Sequence, residues 1–143
     1  MTAIKFRDPE GHPLELLQFP PGCNSSQSER GIPGIDHTAI SVGNVRTSRR
    51  FYEEHGLALG ESTINQGPEQ DALDGLDGVK VDVVPMNPAE TPPHVELLGY
   101  RVPFARQNNS FACNDIAATR MVWRSDRNAL VRDPDGHLLE LIR

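Results

Sequence analysis

Cysteine is scarce in this 143-residue chain: only Cys23 and Cys113 occur, far apart and in no metal-binding spacing. That pattern calls for neither a disulfide framework nor a thiolate zinc site, so a reducing cytoplasm is the expected compartment. Long apolar runs are also missing. No stretch could span a bilayer, and the opening Met1-Thr2-Ala3-Ile4-Lys5-Phe6-Arg7 lacks the apolar core of a secretory signal, so no membrane partner is expected. Basic residues are outnumbered, with 14 Lys and Arg against 20 Asp and Glu for a net charge of −6. This balance argues against a nucleic-acid partner, because general phosphate-backbone binders gather lysine and arginine on one face. What is left is a globular composition of a size for one domain with a modest core.

The clearest positive signal is internal repetition. Arg7-Asp8-Pro9-Glu10-Gly11-His12-Pro13-Leu14-Glu15-Leu16-Leu17 returns as Arg132-Asp133-Pro134-Asp135-Gly136-His137-Leu138-Leu139-Glu140-Leu141-Ile142, identical at eight of eleven positions after an offset of 125 residues. A self-match of this length points to repeated modules. Each copy joins a Pro-Glu/Asp-Gly turn to a strand with one carboxylate among leucines. A buried carboxylate is costly unless something pairs with it, so a metal, a cation or a hydrogen-bond network is expected at Glu15 and Glu140.

Along the chain, residues 3–7 and 13–19 read as a β-hairpin around Asp8-Pro9-Glu10-Gly11. Residues 20–33, rich in Pro, Gly and Ser, read as a linker. A strand is expected over Ile35–Val42, followed by a helix from Val45 to about His55 with Asn44 as its cap and Gly56 as its stop. Val45, Ser48, Phe51, Tyr52 and His55 fall on one face of that helix. Strands follow at Leu57–Ile64, Val79–Val84 and His94–Tyr100. Exposed loops are expected at residues 66–78 and, because four prolines crowd it, at Pro85–Pro93. The order β-α-β-β-β is therefore readable from residue 35 to 100. A shorter second pass begins near Ile116, with strands at Ala117–Arg124, Asn128–Arg132 and Leu138–Arg143 and no room for a helix and the strand after it.

The runs Gly34-Ile35-Asp36-His37-Thr38-Ala39-Ile40-Ser41-Val42, Arg50-Phe51-Tyr52-Glu53, His94-Val95-Glu96-Leu97-Leu98 and Arg132-Asp133-Pro134-Asp135-Gly136-His137-Leu138-Leu139-Glu140-Leu141 resemble the vicinal-oxygen-chelate superfamily of glyoxalase-type lyases, bleomycin-resistance proteins and extradiol dioxygenases. The resemblance implies an α+β fold of βαβββ modules, with a mixed curved sheet and few helices. It divides the chain into a hairpin at 1–19 like the end of a preceding module, a linker at 20–33, and a domain at 34–143 whose second module is truncated. It further implies a divalent metal ion (Fe, Mn, Co, Ni or Zn) held by His37, Glu96 and Glu140 on a concave face. Glu96 or Glu140 would serve as catalytic base, and Arg120 and Tyr100 would contact substrate. The function implied is a metal-dependent lyase, isomerase or dioxygenase acting on a small metabolite through two adjacent oxygens. The alternative is a non-catalytic small-molecule-binding protein of the bleomycin-resistance type.

Residue by residue, other readings stand beside these. Side chains alternate along strands, so His37, Glu96 and Glu140 each present one candidate ligand among packable neighbours, without showing that the three faces converge. His37 also fits a hydrogen-bonded histidine at a strand end, and Glu96 a solvent-facing carboxylate. Glu15 reads as part of an orphaned copy, His94 as a loop-edge residue, and Phe51 and Tyr52 as core. At Arg120 the family often carries a histidine; the guanidinium either neutralises Glu140 or Glu96 or grips an anionic substrate. A module without its helix leaves a sheet face and an edge uncovered, so a homodimer that shares the N-terminal hairpin is expected.

Overall fold

The computed structural model describes residues 1–22, 32, 34–89, 93–104 and 120–143. Its elements, in chain order, are β1 (Thr2–Arg7), β2 (Pro13–Gln18), β3 (His37–Ser41), α1 (Val45–Glu54), β4 (Ala58–Leu59), β5 (Thr63–Gln66), α2 (Pro68–Asp74), β6 (Lys80–Asn87), β7 (His94–Val102), β8 (Arg120–Arg124), β9 (Ala129–Arg132) and β10 (Leu138–Ile142). They form three sheets, β1-β2, β3-β7-β6-β4 with β5 also on β6, and β8-β10-β9. Cys23, Cys113 and most of the expected linker lie outside the described residues, as do 117–119 of the strand expected over Ala117–Arg124 and part of the expected Pro-rich loop.

Parity decides which faces are buried. In β7, Val95 and Leu97 are buried while His94, Glu96 and Tyr100 on the other side are partly open. β3 runs parallel to β7 and buries Ile40. Helix α1 starts because the Asn44 side chain accepts from the Thr47 amide 3.1 Å away, satisfying one of the orphan donors of the first turn. The helix buries Ser48 and Tyr52 and places Tyr52 in a core with Ile40, Val95 and Leu97. Met121 from β8 and Leu139 from β10 join the same core, so the three-stranded sheet packs on it too.

Two expected loops prove to be structured. Residues 68–74 form α2 because Pro68 sits in its first turn, where the missing N–H costs nothing, with Glu69 and Asp71 near the positive helix end. Gly75, at φ 65, closes it in the left-handed conformation. Further on, β6 runs through Pro85 to Asn87 instead of ending at Val84. Proline removes only a donor, and the Pro85 carbonyl still accepts from Gly60 N–H at 2.8 Å. Gly60 suits that approach, since a Cβ there would lie 3.0 Å from Pro85 Cβ and 2.7 Å from the side-chain nitrogen of Asn87. This contact also divides the strand expected over Leu57–Ile64 into β4 and β5.

The two repeat copies build the same turn bond for bond. In the C-terminal copy Asp133 Oδ1 accepts from the amides of Asp135 and His137 at 2.9 and 2.8 Å, and Arg132 donates to the Gly136 carbonyl at 2.8 Å. In the N-terminal copy Asp8 Oδ1 accepts from Glu10 and His12, both at 2.9 Å, and Arg7 donates to Gly11 at 2.7 Å. Gly11 and Gly136 sit at φ 94 and 93, a region open to glycine.

Their outward contacts differ. Asp135 accepts from the Gly43 amide and the Ser48 hydroxyl at 2.8 and 2.9 Å, and Tyr52 donates to Asp133 Oδ2 at 3.0 Å. The C-terminal turn thereby clasps the start of α1. Burial, reinforced by the Asp133 charge, pushes the Tyr52 hydroxyl pKa far up. In the N-terminal copy, among the described residues, Asp8 Oδ2 meets its own His12 at 3.0 Å.

Candidate metal centre

The parallel register of β3 on β7 sets His37 opposite His94 and Ala39 opposite Glu96. His37 and Glu96 therefore lie diagonally on one face, two residues apart along neighbouring strands, within reach of long side chains. His37 Nε2 is 3.6 Å from Glu96 Oε2, and the other Glu96 oxygen is 3.4 Å from His94 Nε2. The two imidazoles stand 5.4 Å apart between centroids, with Glu96 serving both.

A third carboxylate comes from β2. Glu15 Oε2 lies 3.8 Å from the same His37 Nε2. The orphaned-copy reading did not anticipate this placement beside His37, although the duplicated Leu-Glu-Leu in the sequence carried the signal. Among the described residues, Glu140 forms no ion pair with His37; on β10 it stands between Val122 and Leu130. The structure brings two of the three expected ligands together, with the N-terminal counterpart of the third beside them.

On its other nitrogen, His37 Nδ1 is 3.0 Å from Asp36 Oδ2. A carboxylate at Nδ1 is the arrangement that orients a metal-ligating imidazole, whose Nε2 would then be the atom offered to an ion between it, Glu15 and Glu96. Asp36, His37 and His94 also bring one donor atom each within 4.8 Å of one another. The donors fit a divalent transition metal, being imidazole nitrogen with carboxylate oxygen. The separations around Nε2 slightly exceed the roughly 3–3.5 Å between neighbouring donors held about 2.1 Å from a common ion, so a bound ion would draw the two glutamates inward.

Of the two expected substrate contacts, Tyr100 shares the face of β7 that carries Glu96, and Arg120 lies on β8. Tyr100 donates its hydroxyl to Asp74 at 3.1 Å, and burial first, then the Asp74 charge, push its pKa up to about 12. Lys5 and Gln70 donate to the same carboxylate at 2.5 and 2.8 Å. Burial works to raise the Asp74 pKa, but these hydrogen bonds together hold it below the ordinary range. Lys5 belongs to β1, so this network latches the hairpin carrying Glu15 onto α2. Arg120 is exposed on β8, opposite Leu138, and among the described residues it pairs with neither Glu96 nor Glu140. A groove of about 830 Å³ lies between α1, β5 and β6, and none of the His37 cluster lines it.

Parallel first and last strands, the helix between them and the antiparallel strands that follow it give the βαβββ order of the glyoxalase-type α+β fold. A crystal structure of a glyoxalase family protein from Bacillus cereus shares it, with a TM-score of 0.70 over 80% of this chain and 96% of that one, at 17% sequence identity. The likeness is one of fold, as the sequence of Arg132–Leu141 and its companions led us to expect. No family model matches the chain, and no curated protein matches it significantly. Among the described residues no helix is long and apolar enough to cross a membrane.

Proposed function

We propose that the chain is a metal-dependent enzyme of the glyoxalase or extradiol-dioxygenase kind, acting on a small metabolite with two neighbouring oxygens. The observation that carries this reading is His37, anchored at Nδ1 by Asp36 and flanked at Nε2 by Glu15 and Glu96. His37, Glu96 and Glu15 would hold the ion, with His94 in reach. A divalent metal bound there supplies Lewis-acid stabilisation to negative charge developing on the substrate oxygens.

The chain's own groups do the rest. Asp36 fixes the imidazole, and the strands fix Glu96. One oxygen of Glu96 faces each imidazole, so its carboxylate can take a proton from substrate and share it with His94. The β1–β2 hairpin brings Glu15 to His37, whose side chain is 12% exposed.

Metal analysis of protein purified without chelator tests the proposal. Near-stoichiometric Fe, Mn, Co, Ni or Zn, lost in His37→Ala, is expected. Metal-free protein whose melting temperature ignores all five ions contradicts it, because a ligand of the native state must raise stability. That result together with a thermal shift from planar aromatic ligands would establish the binding-protein alternative.

A further inference from the structure

Helix α1 is charged against its own dipole. Arg46, Arg49 and Arg50 crowd its first half and Glu53 and Glu54 close it, with no acid in the first turn and no base in the last. A helix is stabilised by the opposite order, acids at its positive start and bases at its negative end. The ion pairs it makes, Arg49 to Glu53 and Arg50 to Glu54, run in the weaker of the two i,i+4 orientations. Arg46 and Arg50 are themselves an i,i+4 pair of like charge, which costs a little more. Helix stability therefore does not account for these three side chains.

All three border the groove of about 830 Å³ between α1, β5 and β6, where Arg101 of β7 joins them. Gly99 lets the start of the helix sit down on the sheet, because a Cβ there would strike Val45. Most of the helix arginines' donors are uncommitted. Arg49 and Arg50 each donate through Nε alone, at 2.8 and 3.1 Å, and Arg46 donates to none of the described residues. Arg101 is held by both oxygens of Asp82, at 2.7 and 2.5 Å. Four guanidinia thus meet two lining carboxylates, Glu53 and Asp82, with Glu54 paired to Arg50 from outside the lining. The groove stays positive in a chain whose net charge is −6.

We propose that this groove binds a small molecule carrying a phosphoryl group on an apolar body. A phosphate dianion accepts from several planar forks at once, and arginine matches its oxygens better than lysine does. Buried Val84 and half-exposed Ile64 offer apolar surface beside the arginines for the rest of the ligand. The volume falls within the roughly 300–1,000 Å³ of small-molecule sites. Because α1 packs on the side of β7 that buries Val95 and Leu97, the groove lies across the sheet from Glu96. It is a second site, independent of the metal.

Isothermal titration with phenyl phosphate, in buffer free of other phosphate, tests this. Wild-type protein is expected to bind with a dissociation constant of roughly 1 mM or below, more weakly as salt rises. Each charge-assisted bond lost should weaken binding roughly tenfold or more, so Arg46→Gln/Arg49→Gln should bind far less with unchanged circular dichroism. Arg124→Gln/Arg127→Gln, which alters exposed arginines at the three-stranded sheet, and His37→Ala should bind as wild type does. No binding by wild type, undiminished binding by the Arg46/Arg49 variant, or binding lost in either control would each overturn the proposal. Vesicles containing phosphatidic acid probe the lipid source of the same headgroup. Protein that sediments with them but does not bind phenyl phosphate would also overturn it.

Discussion

Removing one oxygen atom, in Tyr52→Phe, tests whether the C-terminal turn holds α1 as described. The Tyr52 hydroxyl donates to Asp133 at 3.0 Å with both side chains buried. A hydrogen bond to a charged group contributes about 1.5–3 kcal/mol, and stranding a buried acceptor costs a similar amount. Asp133 keeps two backbone donors on its other oxygen, so the carboxylate is not orphaned. We therefore expect a loss of about 2 kcal/mol, in the middle of that range. For a chain of this length that lowers the melting temperature by about 4–8 °C.

Urea and thermal unfolding give the number, and the Asp133→Asn cycle isolates the pair, with a coupling of about 1–2 kcal/mol expected. The repeat provides an internal control. Asp8→Ala removes the same turn bonds where no tyrosine reaches the carboxylate, so it should cost less than Asp133→Ala. A Tyr52→Phe protein melting with wild type, or Asp8→Ala as damaging as Asp133→Ala, would refute the clasp.

Both tyrosines of the chain have pKa values raised above 10 in the folded state, Tyr100 to about 12 and Tyr52 further. A folded pKa above the unfolded one means the stabilisation is whole below about pH 10 and is lost as pH rises through the folded value. Native protein should thus show almost no phenolate absorbance at about pH 10, where urea-unfolded protein is half titrated; equal titration of both forms would contradict the burial. Asp74 behaves oppositely: its lowered pKa makes the Lys5 latch fully effective above about pH 4 and lost on further acidification. The stability difference between wild type and Lys5→Ala should accordingly shrink below that pH; a difference that is flat across it would count against the ion pair. Asp36→Asn should weaken metal binding by roughly 10–100-fold in chelator competition while His37→Ala abolishes it. Unchanged affinity in Asp36→Asn would remove Asp36 from the site.

Much of this architecture was legible in the residues, for physical reasons that vary by position. Strict alternation around Val95 and Leu97 marked β7, and Asn44 with Gly56 bracketed α1, because burial parity and capping are local. α2 escaped notice because a seven-residue helix with no buried face carries no apolar period; only Pro68 and Gly75 announced it. Pro85 was read as a breaker, since nothing local shows that its carbonyl has a partner in Gly60. At the site, His37 and Glu96 were recognisable from their strands. The carboxylate beside them was not, because the choice between Glu15 and Glu140 depends on which hairpin folds over β3 and β7. Lys5 and Asp74 help settle that choice from 69 residues apart, beyond the reach of any local pattern.

The turn that the chain writes twice has a wider consequence. Its internal bonds are the same whether it is buried against a helix or open to water, so six residues specify their own shape and ask nothing of their surroundings. The C-terminal copy is committed to its neighbours by one carboxylate oxygen of Asp133, by Asp135 and by the His137 ring, which meets the Ser41 carbonyl at 3.0 Å. A piece with that independence can be copied to the far end of a gene and arrive already folded, and selection is then free to give each copy its own employment.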